Sequence, residues 1–153
     1  MLDQNFRGRH TLSIDSKGRV SVPAPFREIL AERYGENRLM LATVFDRCLR
    51  AYPTEEWAKI EEHASGLSST DKNVKFYYRH FISSAVELEF DKQGRILIPA
   101  SHREWAEING GQVLFLGITD KIEIWDKAAY ASKMATLDPS SVEDSINEMG
   151  GKI

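Results

Sequence analysis

The chain has little that would make it an enzyme, a secreted scaffold or a membrane protein. Its 153 residues include one cysteine, Cys48, and five prolines. A lone thiol cannot form an internal disulfide, so Cys48 reads as a small buried hydrophobe. The four histidines, His10, His63, His80 and His102, stand singly along the chain and offer no metal-ligand spacing. Nowhere do apolar residues run for the roughly 18 positions that a membrane-spanning helix needs. The opening "MLDQNFRGRH" lacks the apolar core of a secretory signal, which makes the expected location cytoplasmic. No P-loop, G-x-G-x-x-G or Ser-His-Asp order is present, and the chain reads as a non-enzyme with no cofactor and no small-molecule substrate.

What is present is a globular balance, 42% hydrophobic and 28% charged. The net charge of -3 argues mildly against a nucleic-acid partner, because a phosphate backbone rewards clustered Lys and Arg. The distribution argues the other way. Residues 1–27 carry Arg7, Arg9, Lys17, Arg19 and Arg27 against Asp3 and Asp15, whereas 138–153 carry four acids and only Lys152. Such asymmetry suggests one basic working surface, with acid placed elsewhere for solubility.

The strongest feature is a repetition. "DSKGRVSVPAPFR" at 15–27 returns as "DKQGRILIPASHR" at 91–103, the pattern D-x-x-G-R-[VI]-x-[VI]-P-A-x-x-R with every member offset by 76 positions. Upstream, "TLSID" matches "ELEFD" at the two-residue period of a half-buried strand. Downstream, "LMLATVFDRCLRAYPTEEW" matches "VLFLGITDKIEIWDKAAY" after a one-residue gap, which sets Tyr52 on Trp125. Each copy predicts strand, turn, short strand, short helix, strand, hairpin turn, strand and longer helix.

The residue types have local jobs. Gly18 and Gly94 allow the chain to reverse at positive φ, and Asp15 and Asp91 are placed to accept N–H bonds two residues on. Pro23 and Pro99 end the short strands and suit a helix start. The following helices should press Phe26 with Leu30, and Trp105 with Ile108, onto the core. Thr54 is the expected N-cap of a helix carrying Trp57, Ile60, Ala64 and Leu67. A second helix should begin near Thr70 or Asp71, and Asp126 should cap a third. After Pro139 a short amphipathic helix fits Val142, Ile146 and Met149.

Neither copy alone has enough apolar surface to close a core. The expected fold class is mainly β with several helices (α+β), a pseudo-twofold swapped-hairpin or double-split β-barrel built from two tandem repeats that leaves no open sheet edge. The expected divisions are 1–76, 77–137 and an acidic tail at 138–153, the two repeats forming one compact domain.

The doubled motif, each followed by V-x-V-P or I-x-I-P, and the "FRG" at Phe6 to Gly8 resemble the MraZ family, bacterial regulators made of two tandem AbrB-like swapped-hairpin units with a D-x-x-x-R motif in each. The resemblance runs from Phe6 to about Met134. It implies a transcriptional regulator that binds double-stranded DNA with direct repeats, upstream of a division and cell-wall gene cluster that includes its own gene. It also implies a ring-shaped homo-oligomer associated with the nucleoid. By that likeness Arg19 and Arg95 are the leading DNA contacts, with Lys17 and Lys92 as phosphate partners; Gln93 stands where Lys17 stands in copy one.

Other roles for these residues stay open at the level of sequence. Arg19 and Arg95 can fold back on Asp15 and Asp91 as ion pairs that stiffen a turn, and this is compatible with DNA contact. Arg27 and Arg103 divide between helix-surface pairing and phosphate contact, and Arg7 and Arg9 between a solvated arm and DNA contact. Twin aspartates on a twofold repeat suggest an aspartic protease, but that chemistry needs D-[ST]-G loops, which are absent here. A scaffold or antitoxin-like protein binder of the same fold is the remaining alternative.

Overall fold

The structure is a computed structural model and describes residues 4–153. Copy one contributes β1 (Arg9–Ile14), β2 (Arg19–Ser21), α1 (Ala24–Tyr34), β3 (Arg38–Val44), β4 (Cys48–Tyr52) and α2 (Thr54–Ala64). After α3 (Lys72–His80) and a single 3-10 turn at Ile82–Ser84, copy two supplies β5 (Val86–Glu89), β6 (Arg95–Leu97), α4 (Ala100–Trp105), β7 (Gly111–Ile118), β8 (Lys121–Asp126) and α5 (Lys127–Met134). A last helix, α6, spans Pro139–Glu148. The order of elements in each copy is the one the repeat predicts.

The strands form an antiparallel six-stranded sheet in the order β1-β7-β8-β4-β3-β5, and β2 pairs with β6 as a separate ribbon. Every pairing has an image in the other copy. β1 pairs with β7 as β5 pairs with β3, and the hairpin β3–β4 is matched by β7–β8. The pseudo-twofold axis therefore passes between the two strands that pair with their own images. It crosses the ribbon at Val20 opposite Ile96 and the large sheet at Arg50 opposite Glu123. Outer strands β1 and β5 remain at the ends of the six-stranded order, so the sheet does not close on itself. The ribbon that follows both of them links the ends instead: the N–H of Asp15 donates to the Arg19 carbonyl at 3.0 Å, and that of Asp91 to the Arg95 carbonyl at 2.9 Å.

Period-two alternation sorts the side chains to the two sides of this sheet. One side buries Leu41, Leu49, Phe115 and Ile124 with Val20 and Ile96 of the ribbon and Phe26 and Leu30 of α1. On the opposite side Tyr52, Trp57, Phe81 and Trp125 pack together, covered by α2 and α3, and Tyr130 of α5 meets Trp125 at 5.5 Å between ring centroids. The molecule is thus layered, with the ribbon and α1 on one side of the sheet and α2, α3 and α5 on the other. Each fully buried Phe or Leu contributes about 1.5–3 kcal/mol to holding those layers together.

Several local expectations hold in detail. Asp71 accepts N–H bonds from Asn73 and Val74 at the start of α3, Asp126 accepts one from Ala129 at the start of α5, and Cys48 is fully buried. Burial pushes the Cys48 thiol pKa well up, which leaves it inert as a nucleophile. Others are corrected. Thr54 is the first helical residue of α2 rather than its cap, because its N–H and hydroxyl both donate to Glu36, across the β3–β4 hairpin in sequence. Leu67 lies beyond the end of α2 and is exposed. Trp105 ends the short α4 and stays out of the core, its indole N–H donating to the Val44 carbonyl at 2.8 Å. His102 is the buried residue of α4, and its Nε2 lies 2.8 Å from the Ser84 carbonyl oxygen.

Candidate nucleic-acid interface

Each D-x-x-G-R segment builds itself into a rigid loop. Asp15 accepts the N–H of Lys17 at 3.0 Å and that of Arg19 at 2.8 Å on Oδ1, while Oδ2 accepts Nε–H of the Arg19 side chain at 2.7 Å. Asp91 repeats the arrangement with Gln93 at 2.9 Å, Arg95 at 2.9 Å and Arg95 Nε at 2.8 Å. Gly18 and Gly94 turn the chain at φ of 94° and 74° and close it with N–H bonds to the Asp15 and Asp91 carbonyls. The spacing in the motif follows from this geometry: an aspartate can reach the N–H two and four residues on only if a glycine between them takes the left-handed turn.

These bonds favour the ionised carboxylate. The Arg19 backbone N–H, followed by its guanidinium, holds the Asp15 pKa at about 2, and the same donors of Arg95 depress that of Asp91. The fold-back of each arginine on its aspartate is therefore real. It uses Nε, one of the five N–H donors of a guanidinium. The Arg19 and Arg95 side chains remain 40% and 32% exposed, so each is held at its inner edge and open at its outer one.

The ribbon sets the two loops side by side. Val20, Val22, Ile96 and Ile98 are buried, which turns Arg19, Ser21, Arg95 and Leu97 to the outer face by strand alternation. Arg19 stands opposite Leu97 and Arg95 opposite Ser21 in the register. The two arginines are then diagonal neighbours across the ladder, about 7–8 Å apart. Exposed Lys17 extends loop one and exposed Lys92 extends loop two, where it borders a shallow hollow lined also by Arg27, Glu36 and Asp91. Acid-rich α2, with Glu55, Glu56, Glu61 and Glu62, packs on the far side of the large sheet.

Not every candidate joins this cluster. Phe6 is buried and pairs with Thr119, and Gly117 donates to the Gly8 carbonyl at 2.9 Å, so the segment around Arg7 runs along the end of β7. Arg9 begins β1 and Asp15 follows its end, which separates Arg9 from the loop by about 20 Å of extended chain. Arg7 and Arg9 are exposed at that distant end.

Two residues outside the initial set belong to the cluster. Arg27 donates Nε–H to the Val22 carbonyl at 3.1 Å, and a Cβ on Gly94 would lie 2.7 Å from its Cζ and Nε. Arg103 donates to the Ile98 carbonyl at 3.0 Å, and a Cβ on Gly18 would lie 2.7 Å from its Nε. Each guanidinium thus covers the loop glycine of the other copy. The signal for both was the last letter of the repeated pattern.

Residues 5–76 and 81–149 each match the sequence pattern of the family described as "MraZ protein, putative antitoxin-like". Among curated relatives, the transcriptional regulator MraZ of Acetivibrio thermocellus is 42% identical over 127 residues, covering 83% of this chain and 85% of the relative. That of Desulfitobacterium hafniense is 40% identical over 148 residues, 95% and 99% of the two chains, and that of Halothermothrix orenii 38% over 138 residues, 90% and 92%. With its two interlocked copies and a D-x-x-x-R loop in each, the chain belongs to the MraZ family.

Proposed function

We propose that the protein is a DNA-binding transcriptional regulator whose paired loops, Asp15–Arg19 and Asp91–Arg95, contact double-stranded DNA, and that it has no catalytic role. The relatives are named as transcriptional regulators. The observation that carries the reading is the placement of Arg19 and Arg95 on one outer face of the β2–β6 ribbon, on either side of the pseudo-twofold axis.

In this account the division of labour follows from donor geometry. A guanidinium pinned through Nε keeps its Nη edge for the O6 and N7 acceptors of a guanine, a bidentate contact giving about 1–3 kcal/mol of discrimination. The aspartate fixes the rotamer in advance, which lowers the ordering cost on binding. Lys17 and Lys92 supply phosphate contacts, which position the protein without reading sequence. Loop two, with Gln93 in place of Lys17 and Glu36 nearby, contributes less.

Two arginines hold a duplex weakly. We assign the missing affinity to a ring-shaped homo-oligomer that engages direct repeats upstream of the division and cell-wall gene cluster, its own gene included, within the nucleoid. A second loop pair binding the same DNA acts intramolecularly and raises avidity by on the order of 10²–10⁴. The test is a gel shift at moderate salt with DNA from upstream of the protein's own gene. Arg19→Ala is expected to lose most of the shifted band, and a band as strong as the parent's would refute the reading.

A further inference from the structure

The two arginines that end the repeated pattern form a link that runs crosswise between the copies. Loop two is gripped by copy one: the Val22 N–H donates to the Gly94 carbonyl at 3.0 Å, the Val22 carbonyl accepts Nε–H of Arg27, and the Arg27 guanidinium lies over Gly94. Loop one is gripped by copy two through the same parts, with Ile98 N–H to the Gly18 carbonyl at 2.9 Å, Arg103 Nε–H to the Ile98 carbonyl, and Arg103 over Gly18. Gly18 and Gly94 are buried although the two residues before each are exposed, so the arginines shield the two turns from solvent. A side chain at either glycine would collide with the guanidinium, which makes the glycine and the distant arginine a matched pair.

We propose that Arg27 and Arg103 are positioning residues for DNA binding, each setting the direction of the arginine-bearing loop of the opposite copy. This rests on the reading of the loops as the DNA contacts. Arg27 sits in copy one yet orients Arg95, and Arg103 sits in copy two yet orients Arg19. Planarity matters as well as charge, because the guanidinium must lie flat over a glycine while its Nε reaches a carbonyl. An ammonium on a flexible stem cannot do both. Disturbing either arginine therefore loosens one turn, remote in sequence and adjacent in space, and leaves the turn of its own copy in place.

The experiment uses the full chain and the variants Arg27→Lys and Arg103→Lys, which keep the charge and remove the flat cover. Amide hydrogen exchange is followed at Lys17, Gly18 and Arg19 in one loop and at Gln93, Gly94 and Arg95 in the other. Arg27→Lys is expected to speed exchange at least tenfold in 93–95 and leave 17–19 near the parent, and Arg103→Lys to do the reverse. Faster exchange in the variant's own copy, in both loops equally, or in neither overturns the proposal. Binding to DNA from upstream of the protein's own gene supplies the second readout. Arg27→Lys should weaken it by on the order of tenfold, combine less than additively with Arg95→Ala and additively with Arg19→Ala. Additivity with both, while Arg19→Ala alone still weakens binding, overturns the crosswise link and leaves the loop contacts standing; full binding by Arg19→Ala and Arg95→Ala would instead refute the loops as contacts, with the exchange results deciding the link on their own.

Discussion

Arg50 and Glu123 occupy equivalent positions in the two copies and meet across the pseudo-twofold axis, Nε to Oε2 at 2.8 Å. A symmetric duplication would set like against like there, whereas the present pair is of opposite charge at the one place in the large sheet where a residue faces its own image. Glu123 is buried and also accepts the Trp125 indole N–H at 3.0 Å on Oε1. Glu123→Ala leaves the Arg50 charge and the indole N–H without that acceptor and is expected to cost about 3 kcal/mol in urea denaturation. Because the sites are images, the exchanged pair Arg50→Glu with Glu123→Arg should recover more than half of the loss sustained by either single change. No recovery would mean that the two positions are not related by the axis.

The loop glycines differ in a measurable way. Gly18→Ala places a Cβ at φ 94°, 2.7 Å from Arg103 Nε and 2.8 Å from the Ile98 carbonyl oxygen, whereas the three atoms nearest a Cβ on Gly94 all belong to the Arg27 guanidinium. A side chain can swing aside more readily than a backbone carbonyl held by a hydrogen bond, as that of Ile98 is by Arg103. Both substitutions are expected to destabilise by about 1–3 kcal/mol from the left-handed turn alone, with Gly18→Ala the worse of the two in thermal unfolding. Equal losses would place the cost in backbone conformation only.

Acid should release the arginines. The Asp15 pKa is depressed to about 2, chiefly by the Arg19 N–H, so the loop's tie is fully formed above the ordinary carboxylate pKa near 4 and is lost as the pH falls from about 4 towards 2. Asp91, depressed by the equivalent donors, follows the same direction. An NMR titration of the Asp15 carboxyl should have its midpoint near pH 2, moving up only part of the way towards 4 in Arg19→Ala, which removes the guanidinium and keeps the backbone N–H. A midpoint near 4 in the parent would show that the carboxylate is not held by the loop.

Much of this was legible in the chain because the copies annotate each other. The 76-residue offset marked Asp15, Gly18 and Arg19 and their images as one device, and local rules for Asx turns, glycine and proline gave it a shape. What escaped were partnerships between segments far apart in sequence. Thr54 carries a good N-cap side chain, yet Glu36 reaches its N–H and hydroxyl first. Trp105 has the spacing of a core residue in a helix, but α4 stops after six residues and the indole finds the Val44 carbonyl instead. Arg7 and Arg9 counted towards a basic N-terminal region that the strand then carries away from the loops. Arg27 and Arg103 were visible as letters of the pattern; only the pairing of β2 with β6 shows that each lies over the other copy's turn.

Phosphate contact and base reading should separate by residue. Lys17→Ala is expected to weaken binding to specific and unrelated DNA alike and to lower the slope of log affinity against log salt by about 1. Lys92→Ala should act in the same direction and less. Arg9→Ala, about 20 Å of strand from the loop, should leave both quantities close to the parent value. A loss in Arg9→Ala as large as that in Lys17→Ala would move the DNA surface off the ribbon.

The central claim is that two arginines, set on one face by the crossing of two hairpins, read DNA. Its most direct measurement is competition between a fragment from upstream of the protein's own gene and a scrambled fragment of equal length, at fixed salt, for the parent and for the combined variant Arg19→Ala with Arg95→Ala. The parent should prefer the native fragment, and the combined variant should lose that preference by at least tenfold, as expected for removal of bidentate guanine contacts. An undiminished preference in the combined variant would contradict the account.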